Sequence, residues 1–210
     1  MARGLARSQS LGQSSGLALR LALQDRPVLV AVAGPNGAGK STFYRAHLAS
    51  AGLRFVNADV LGRELQMGAY EAARVAESIR RELVEQRESF VFEAVFSDPA
   101  GEKLAFLKDA AAAGYAVVLC FIGIENAETS EQRVAMRVSQ GGHDVPTEKL
   151  ESRYPRVMAN LRAALREVPQ VWVFDNGDLR CPYRLVAVYE NGKRVRWQKP
   201  IPKWLLAATE

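Results

Sequence analysis

Little in this sequence could hold a metal or form a cross-link. It has two cysteines, Cys120 and Cys181, and two histidines in 210 residues. Two cysteines make no disulfide framework, and no Cys/His spacing suits a metal finger. Cys120 sits in an apolar stretch and reads as a buried thiol, so a reducing, cytoplasmic compartment is expected. No apolar run approaches the ~20 residues that span a bilayer, and no membrane partner is expected. A secretory leader is not expected either, because Leu17 to Leu23 is broken by Arg20 with no small-residue cleavage site after it. There is no internal repeat.

What is present is a globular mix, 48% hydrophobic and 24% charged, enough for one domain with an appendage. The formal net charge of +5 hints at nucleic acid until its distribution is read. Residues 1–26 carry +3, residues 179–210 carry +5 and residues 27–178 carry −3. Solvated basic ends explain this plainly; nucleic-acid contact through the termini is the sharper alternative. The expected organisation follows. Residues 1–26 form a flexible arm with a short helix at Leu17 to Leu23, or, from composition, an organelle transit segment. Residues 27–178 form the main domain. Residues 179–210 form a hairpin and short helix packed on it.

The main domain is organised around Gly34-Pro35-Asn36-Gly37-Ala38-Gly39-Lys40-Ser41-Thr42. This reads G-x-x-x-x-G-K-[ST], the phosphate-binding P-loop. The apolar, β-branched run Val28 to Ala33 predicts a buried strand before it, and Ser41 to Ser50 predicts a helix after it. Glycines let successive amides curl into an anion nest, and the helix adds its own N-terminal N–H groups. Lys40 should reach the β- and γ-phosphates and Ser41 should ligate Mg²⁺, so ATP and Mg²⁺ are the expected cofactors. A Gly-rich turn with a stray lysine is the alternative; strand, loop and helix together disfavour it.

Two carboxylates stand out beyond the loop. Asp59 follows the short strand Leu53 to Ala58, where ligands gather at the carboxyl ends of an open α/β sheet. There it could take a proton from an attacking hydroxyl, or simply cap the next helix. Glu93 is the one acid in the apolar strand Phe90 to Phe96. Buried, it needs Mg²⁺, a substrate hydroxyl or an arginine; on an edge strand it could face water.

The remaining pattern predicts helices over 69–87, 99–113 and 127–139, and strands over 116–123 and 171–174. Pro155 interrupts a long helical pattern from Thr147, so a kink or junction is expected near Tyr154. The helix–Gly141-Gly142–helix unit, about 126–160, carries Arg133, Arg137, Arg153 and Arg156 and reads as a lid. Surface pairing with Glu131, Glu148 and Glu151 is the competing account. His143, in the Gly-Gly break, is either a phosphate contact or simply exposed. Asn191-Gly192 between two short strands predicts a terminal hairpin.

GPNGAGKST, FVNAD, FVFEAVFS, GYAVVLCFI, RVAMRVSQGGHDVP, RYPRVMANL and FDNG, from about Val28 to Gly177, together resemble the zeta-toxin-like small P-loop kinases. The resemblance implies a P-loop NTPase fold, a three-layer α/β/α sandwich with an adenylate-kinase-like parallel sheet and an Arg-bearing lid. It implies transfer of the ATP γ-phosphate to a hydroxyl, with UDP-N-acetylglucosamine the acceptor in zeta toxins proper, and an antitoxin-like inhibitor as a partner. By motif, Asp59 would be the general base and Glu93 would support substrate or metal. Arg137 and Arg153 would bind phosphate, with Arg133 and His143 near substrate. Relatives usually read Glu-Thr where this chain has Glu93-Ala94, which bears on the acceptor. A polynucleotide or RNA-end kinase and a non-catalytic ATP-binding switch are the alternative functions.

Overall fold

The computed structural model describes residues 26–139 and 145–209. His143 and the proposed arm and helix before residue 26 lie outside the described residues, as does the side chain of Arg137.

Seven strands form one sheet, in the order β2-β3-β1-β4-β5-β6-β7. The strands are β1 (Val28–Ala33), β2 (Arg54–Val56), β3 (Phe90–Ala94), β4 (Ala116–Gly123), β5 (Gln170–Asp175), β6 (Arg184–Glu190) and β7 (Lys193–Trp197). The first five run parallel, and β6 and β7 add antiparallel at one edge. The helices are α1 (Lys40–Phe43), α2 (Ala58–Glu64), α3 (Ala69–Glu85), α4 (Glu102–Ala112), α5 (Ala127–Ser139), α6 (Thr147–Glu167) and α7 (Lys203–Thr209).

Both faces of the sheet are covered, so its central strands are apolar on both sides rather than alternating. Leu29, Ala31, Phe92, Leu119, Phe121 and Val173 pack in one cluster with Leu83 of α3, Leu107 of α4, Leu161 of α6 and Trp204 of α7. Val30, Val32, Val118, Ile122 and Phe174 form the opposite cluster with Phe43 and Leu48 of the segment after the P-loop. This is the layered α/β architecture expected. The C-terminal hairpin, however, continues the main sheet: β6 pairs with β5 from Gln170–Glu190 to Asp175–Arg184.

Two local expectations change. The segment after the P-loop is not one regular helix; α1 passes into a π-helical turn at Tyr44–Leu48 and a 3₁₀ turn at Ala49–Ala51. An i,i+5 turn stacks residues five apart, and here it sends both Phe43 and Leu48 into the core. The helix α6 runs unbroken through Pro155. Pro155 and Glu151, whose carbonyl the proline deprives of a donor, are both exposed, so water can serve that carbonyl. Among the described residues, no helix is long and apolar enough to cross a membrane.

Candidate active site

The P-loop leaves the end of β1 through Gly34, whose φ of 146° and position over β4 admit no side chain; a Cβ there would lie 2.1 Å from the Ile122 carbonyl oxygen. The loop's carbonyls are then taken one by one. Ser130 of α5 donates from Oγ to Asn36 O at 2.7 Å. Asn176, just past β5, donates from Nδ2 to Ala38 O at 2.8 Å. Tyr183 donates from its hydroxyl to Gly39 O at 3.0 Å. Lys40, buried at 7% exposure, donates from Nζ to Pro35 O at 2.9 Å. Because a peptide is planar with its N–H opposite its C=O, the carbonyls held by Ser130, Asn176 and Tyr183 also fix the orientation of the N–H groups that an anion nest would use. Asn36 Oδ1 is buried with no hydrogen-bond partner, a gap that a ligand could fill.

Asn176 and Tyr183 are therefore structural partners of the loop that the sequence reading missed. Asn176 is buried, accepts the Tyr183 amide on Oδ1 at 3.4 Å, and gives its own carbonyl to Arg133 Nη2 at 2.8 Å. Burial pushes the Tyr183 phenol up, which keeps it a donor. The visible signal was only Asp175-Asn176-Gly177 ending a strand, which reads equally well as an ordinary turn.

On the other side of the loop, Glu93 of β3 stands next to Val32 of β1 in the parallel ladder. Its Oε2 accepts from Ser41 Oγ at 2.8 Å and from Asn57 Nδ2 at 2.8 Å. Glu93 is thus only half-buried, and its donors are a loop hydroxyl and an amide. Asn57, not Asp59, caps α2: its Oδ1 accepts from the amides of Asp59 at 2.8 Å and Val60 at 3.2 Å. Asp59 sits in the first turn of α2 with an exposed side chain. Ser41, Glu93, Asn57 and Asp59 therefore lie together along the carboxyl ends of β1, β3 and β2. Ala94 pairs with Ala33 and is buried, so the residue at this position faces the interior.

Ser41 gives its hydroxyl proton to Glu93, which leaves the oxygen lone pairs available to a cation. That donor set suits Mg²⁺, which takes one or two protein oxygens and completes its shell with phosphate oxygens and water. Among the described residues, no group of three or more His, Cys, Asp or Glu could hold a metal by itself.

The predicted lid arginines separate. Arg133 is tied to the carbonyls of Asn176 and Gly177, at 2.8 and 3.3 Å. Arg137 is one turn further along α5. Arg153 is half-buried and makes no hydrogen bond or ion pair among the described residues. Arg156 folds onto its own helix, donating to Ser152 O at 2.9 Å. Among the described residues, Arg133, Arg153 and Arg156 form no ion pair with Glu131, Glu148 or Glu151. Glu131 instead accepts from Thr147 Oγ1 at 2.6 Å, joining α5 to the start of α6.

A family model described as Zeta toxin matches residues 66–185. The match begins past the P-loop and Asp59 and includes Glu93, α5, α6 and Asn176. The fold is similar to the crystal structure described as AvrRxo1-ORF1:AvrRxo1-ORF2 with sulphate ions, with TM-score 0.66 and 20% identity over 91% of this chain and 67% of that one. The same complex with ATP gives TM-score 0.64 and 21% identity over 88% of this chain and 66% of that one. The PezAT chromosomal toxin–antitoxin system of Streptococcus pneumoniae gives TM-score 0.56 and 15% identity, over 95% and 85%. The chain thus spans about two thirds of the AvrRxo1-ORF1:AvrRxo1-ORF2 chains it matches. No curated protein matches the sequence.

Proposed function

The chain belongs to the Zeta toxin family, and from that premise we propose that it is an ATP-dependent phosphotransferase acting on a hydroxyl of a small molecule, with a nucleotide-sugar such as UDP-N-acetylglucosamine the favoured acceptor. The observation that supports this most is the convergence on Glu93. One carboxylate oxygen meets the hydroxyl of the nucleotide loop and the residue that caps the helix bearing Asp59.

In this reading the P-loop amides and Lys40 bind and orient the β- and γ-phosphates. Lys40 leaves Pro35 O for the nucleotide, exchanging a neutral acceptor for a charged one. Ser41, with Glu93 behind it, would hold Mg²⁺, which neutralises charge between the phosphates. Asp59, exposed at the start of α2, accepts the proton of the acceptor hydroxyl. Arg153 and Arg137 approach from the lid and spread the charge on the migrating group; an arginine in that place is worth ~10³-fold or more in comparable systems. Arg133 has a different task, holding the Asn176 turn against the loop, and His143 is kept as a candidate phosphate contact. ATP binding is supported by a similar structure described as containing ATP.

An antitoxin-like inhibitor belongs to the same proposal, because the described relatives include a toxin–antitoxin system. The second reading, an RNA-end kinase, draws on the basic strand β7, with Lys193, Arg194 and Arg196. Incubation with ATP, Mg²⁺ and either UDP-N-acetylglucosamine or 5′-hydroxyl RNA separates the two. Phosphoryl transfer to the nucleotide-sugar is expected, and transfer to RNA alone would reverse the order. With the active acceptor, Asp59→Asn should lower kcat at least ~100-fold while ATP affinity stays near that of the parent, because only the proton acceptor is lost. Unchanged kcat would remove Asp59 from the role of proton acceptor; ATP binding with transfer to neither acceptor would favour a non-catalytic, ATP-binding switch.

A further inference from the structure

The helix α2 packs on α3 through its second half, where a Cβ at Gly62 would lie 3.3 Å from Ala72 Cβ, but its first turn is less well secured. It follows the shortest strand, β2, which lies at the sheet edge and pairs only through Arg54, Phe55 and Val56 with β3. None of its residues is buried, and only Ala58 and Leu61 lean on the main cluster. In the first turn only Ala58 makes such a contact, so a polar contact can contribute much to where that turn sits.

We propose that Asn57 is a positioning residue. With Glu93 Oε2 it forms a relay that holds the first turn of α2 in register with the nucleotide loop. The use made of that register, aiming Asp59 at the phosphate, rests on the kinase reading; the relay itself does not. Both ends of the Asn57 amide are engaged. Oδ1 caps α2 through the amides of Asp59 and Val60. Nδ2 donates to Glu93 at 2.8 Å, on the same oxygen that takes the Ser41 proton at 2.8 Å. Aspartate would cap the helix as well, but it has no donor for Glu93. Serine has one atom for both tasks. Asparagine alone among the good caps separates acceptor from donor along a rigid planar group, and its 6% exposure leaves little room for water to substitute. A shift of Ser41 on taking up a cation is therefore felt, through one oxygen, at the backbone of Asp59.

Hydrogen exchange at the Asp59 and Val60 amides tests the relay without any substrate. In Glu93→Ala, both amides should lose at least about tenfold in protection, since Asn57 loses a hydrogen bond to a charged group. Catalysis offers an exchange of polarity. Asn57→Asp keeps the cap but sets two carboxylates face to face, and should lower kcat for the acceptor about 10–100-fold with KM for ATP little changed. Adding Glu93→Gln swaps donor and acceptor at constant net charge. The amide introduced on β3 can donate to the carboxylate introduced before α2, and at least about tenfold of the lost kcat should return. The double variant should still need more Mg²⁺ than the parent, because the Ser41 proton has lost its carboxylate. If Glu93→Ala unfolds the sheet edge, N57D and N57D/E93Q decide alone, since both keep the cap. Unchanged protection in Glu93→Ala, or a double variant no better than Asn57→Asp, overturns the relay. If the parent transfers phosphate to no acceptor, the kinase reading fails while exchange at Asp59 and Val60 still decides the relay.

Discussion

At Gly39 the nucleotide loop has no spare space. Its φ is 88°, and a Cβ would lie 2.8 Å from the Tyr183 hydroxyl and 2.9 Å from Asn176 Nδ2. Gly39→Ala combines a left-handed backbone with displacement of both clamps, a cost of ~1–2 kcal/mol for the backbone alone. ATP affinity measured by calorimetry should fall at least about tenfold, and an unchanged affinity would contradict the tight fit at this position. The two thiols provide a second, independent check on the fold. Burial pushes the Cys120 thiol up and keeps it protonated, whereas Cys181 is exposed. A thiol reagent should titrate one equivalent quickly in the native protein and the second only after denaturation; two fast equivalents would contradict the packing of β4. At this scale the P-loop and Glu93 stood out as candidates because their residue types are rare in their settings, and Asp59 because it follows a strand of an open α/β sheet. Asn57 and Asn176 were not. Asparagine before a helix or at a strand end is ordinary, and only three-dimensional contact reveals that each holds a second element.

The C-terminal helix shows what sequence periodicity alone cannot supply. Asn191-Gly192 announced the hairpin, and both residues adopt positive φ, 48° and 77°, as its tight turn requires. That the hairpin would extend the parallel sheet depends on β5, some fifteen residues earlier, and on Trp204 beyond it. Trp204 is 5% exposed, donates from Nε1 to Asp175 Oδ1 at 3.1 Å, and covers Gly123, where a Cβ would lie 2.2 Å from the indole ring. Asp175 also pairs with Arg184 at 3.2 Å and precedes Asn176, so one junction joins α7, β6 and the turn that holds the P-loop. Trp204→Ala should cost ~3–5 kcal/mol in denaturant unfolding, the range for a buried aromatic. Trp204→Phe should cost less, retaining most of the packing and losing the bond to Asp175. Equal costs would mean that the hydrogen bond, not the ring, holds the helix. Pro155 taught the reverse lesson: a strong local breaker was absorbed because its side of α6 faces solvent.

Among the described residues, the basic strand and the site lie apart in the sheet. The P-loop follows β1, whereas the basic strand β7 lies at the sheet edge beyond β4, β5 and β6. Basic residues on an exposed edge also have a protective role, discouraging another strand from pairing there. An RNA-end kinase needs a cationic path leading to its site, and its affinity falls steeply with salt. A kinase for a small acceptor has no use for charges so far across the sheet. Arg196→Glu with Lys199→Glu distinguishes these, since each exchange changes the charge by two units and the pair takes the formal net charge from +5 to +1 while leaving the edge charged. Transfer to a nucleotide-sugar should keep its kcat and KM within about twofold, because charges beyond a Debye length of ~8 Å are screened at physiological salt. Retention on a polyanionic column should fall in the same variant, which shows that the substitution has acted. A matching loss of transfer to 5′-hydroxyl RNA, with no transfer to the sugar in either protein, would instead assign those terminal charges to substrate binding and make the polynucleotide the acceptor.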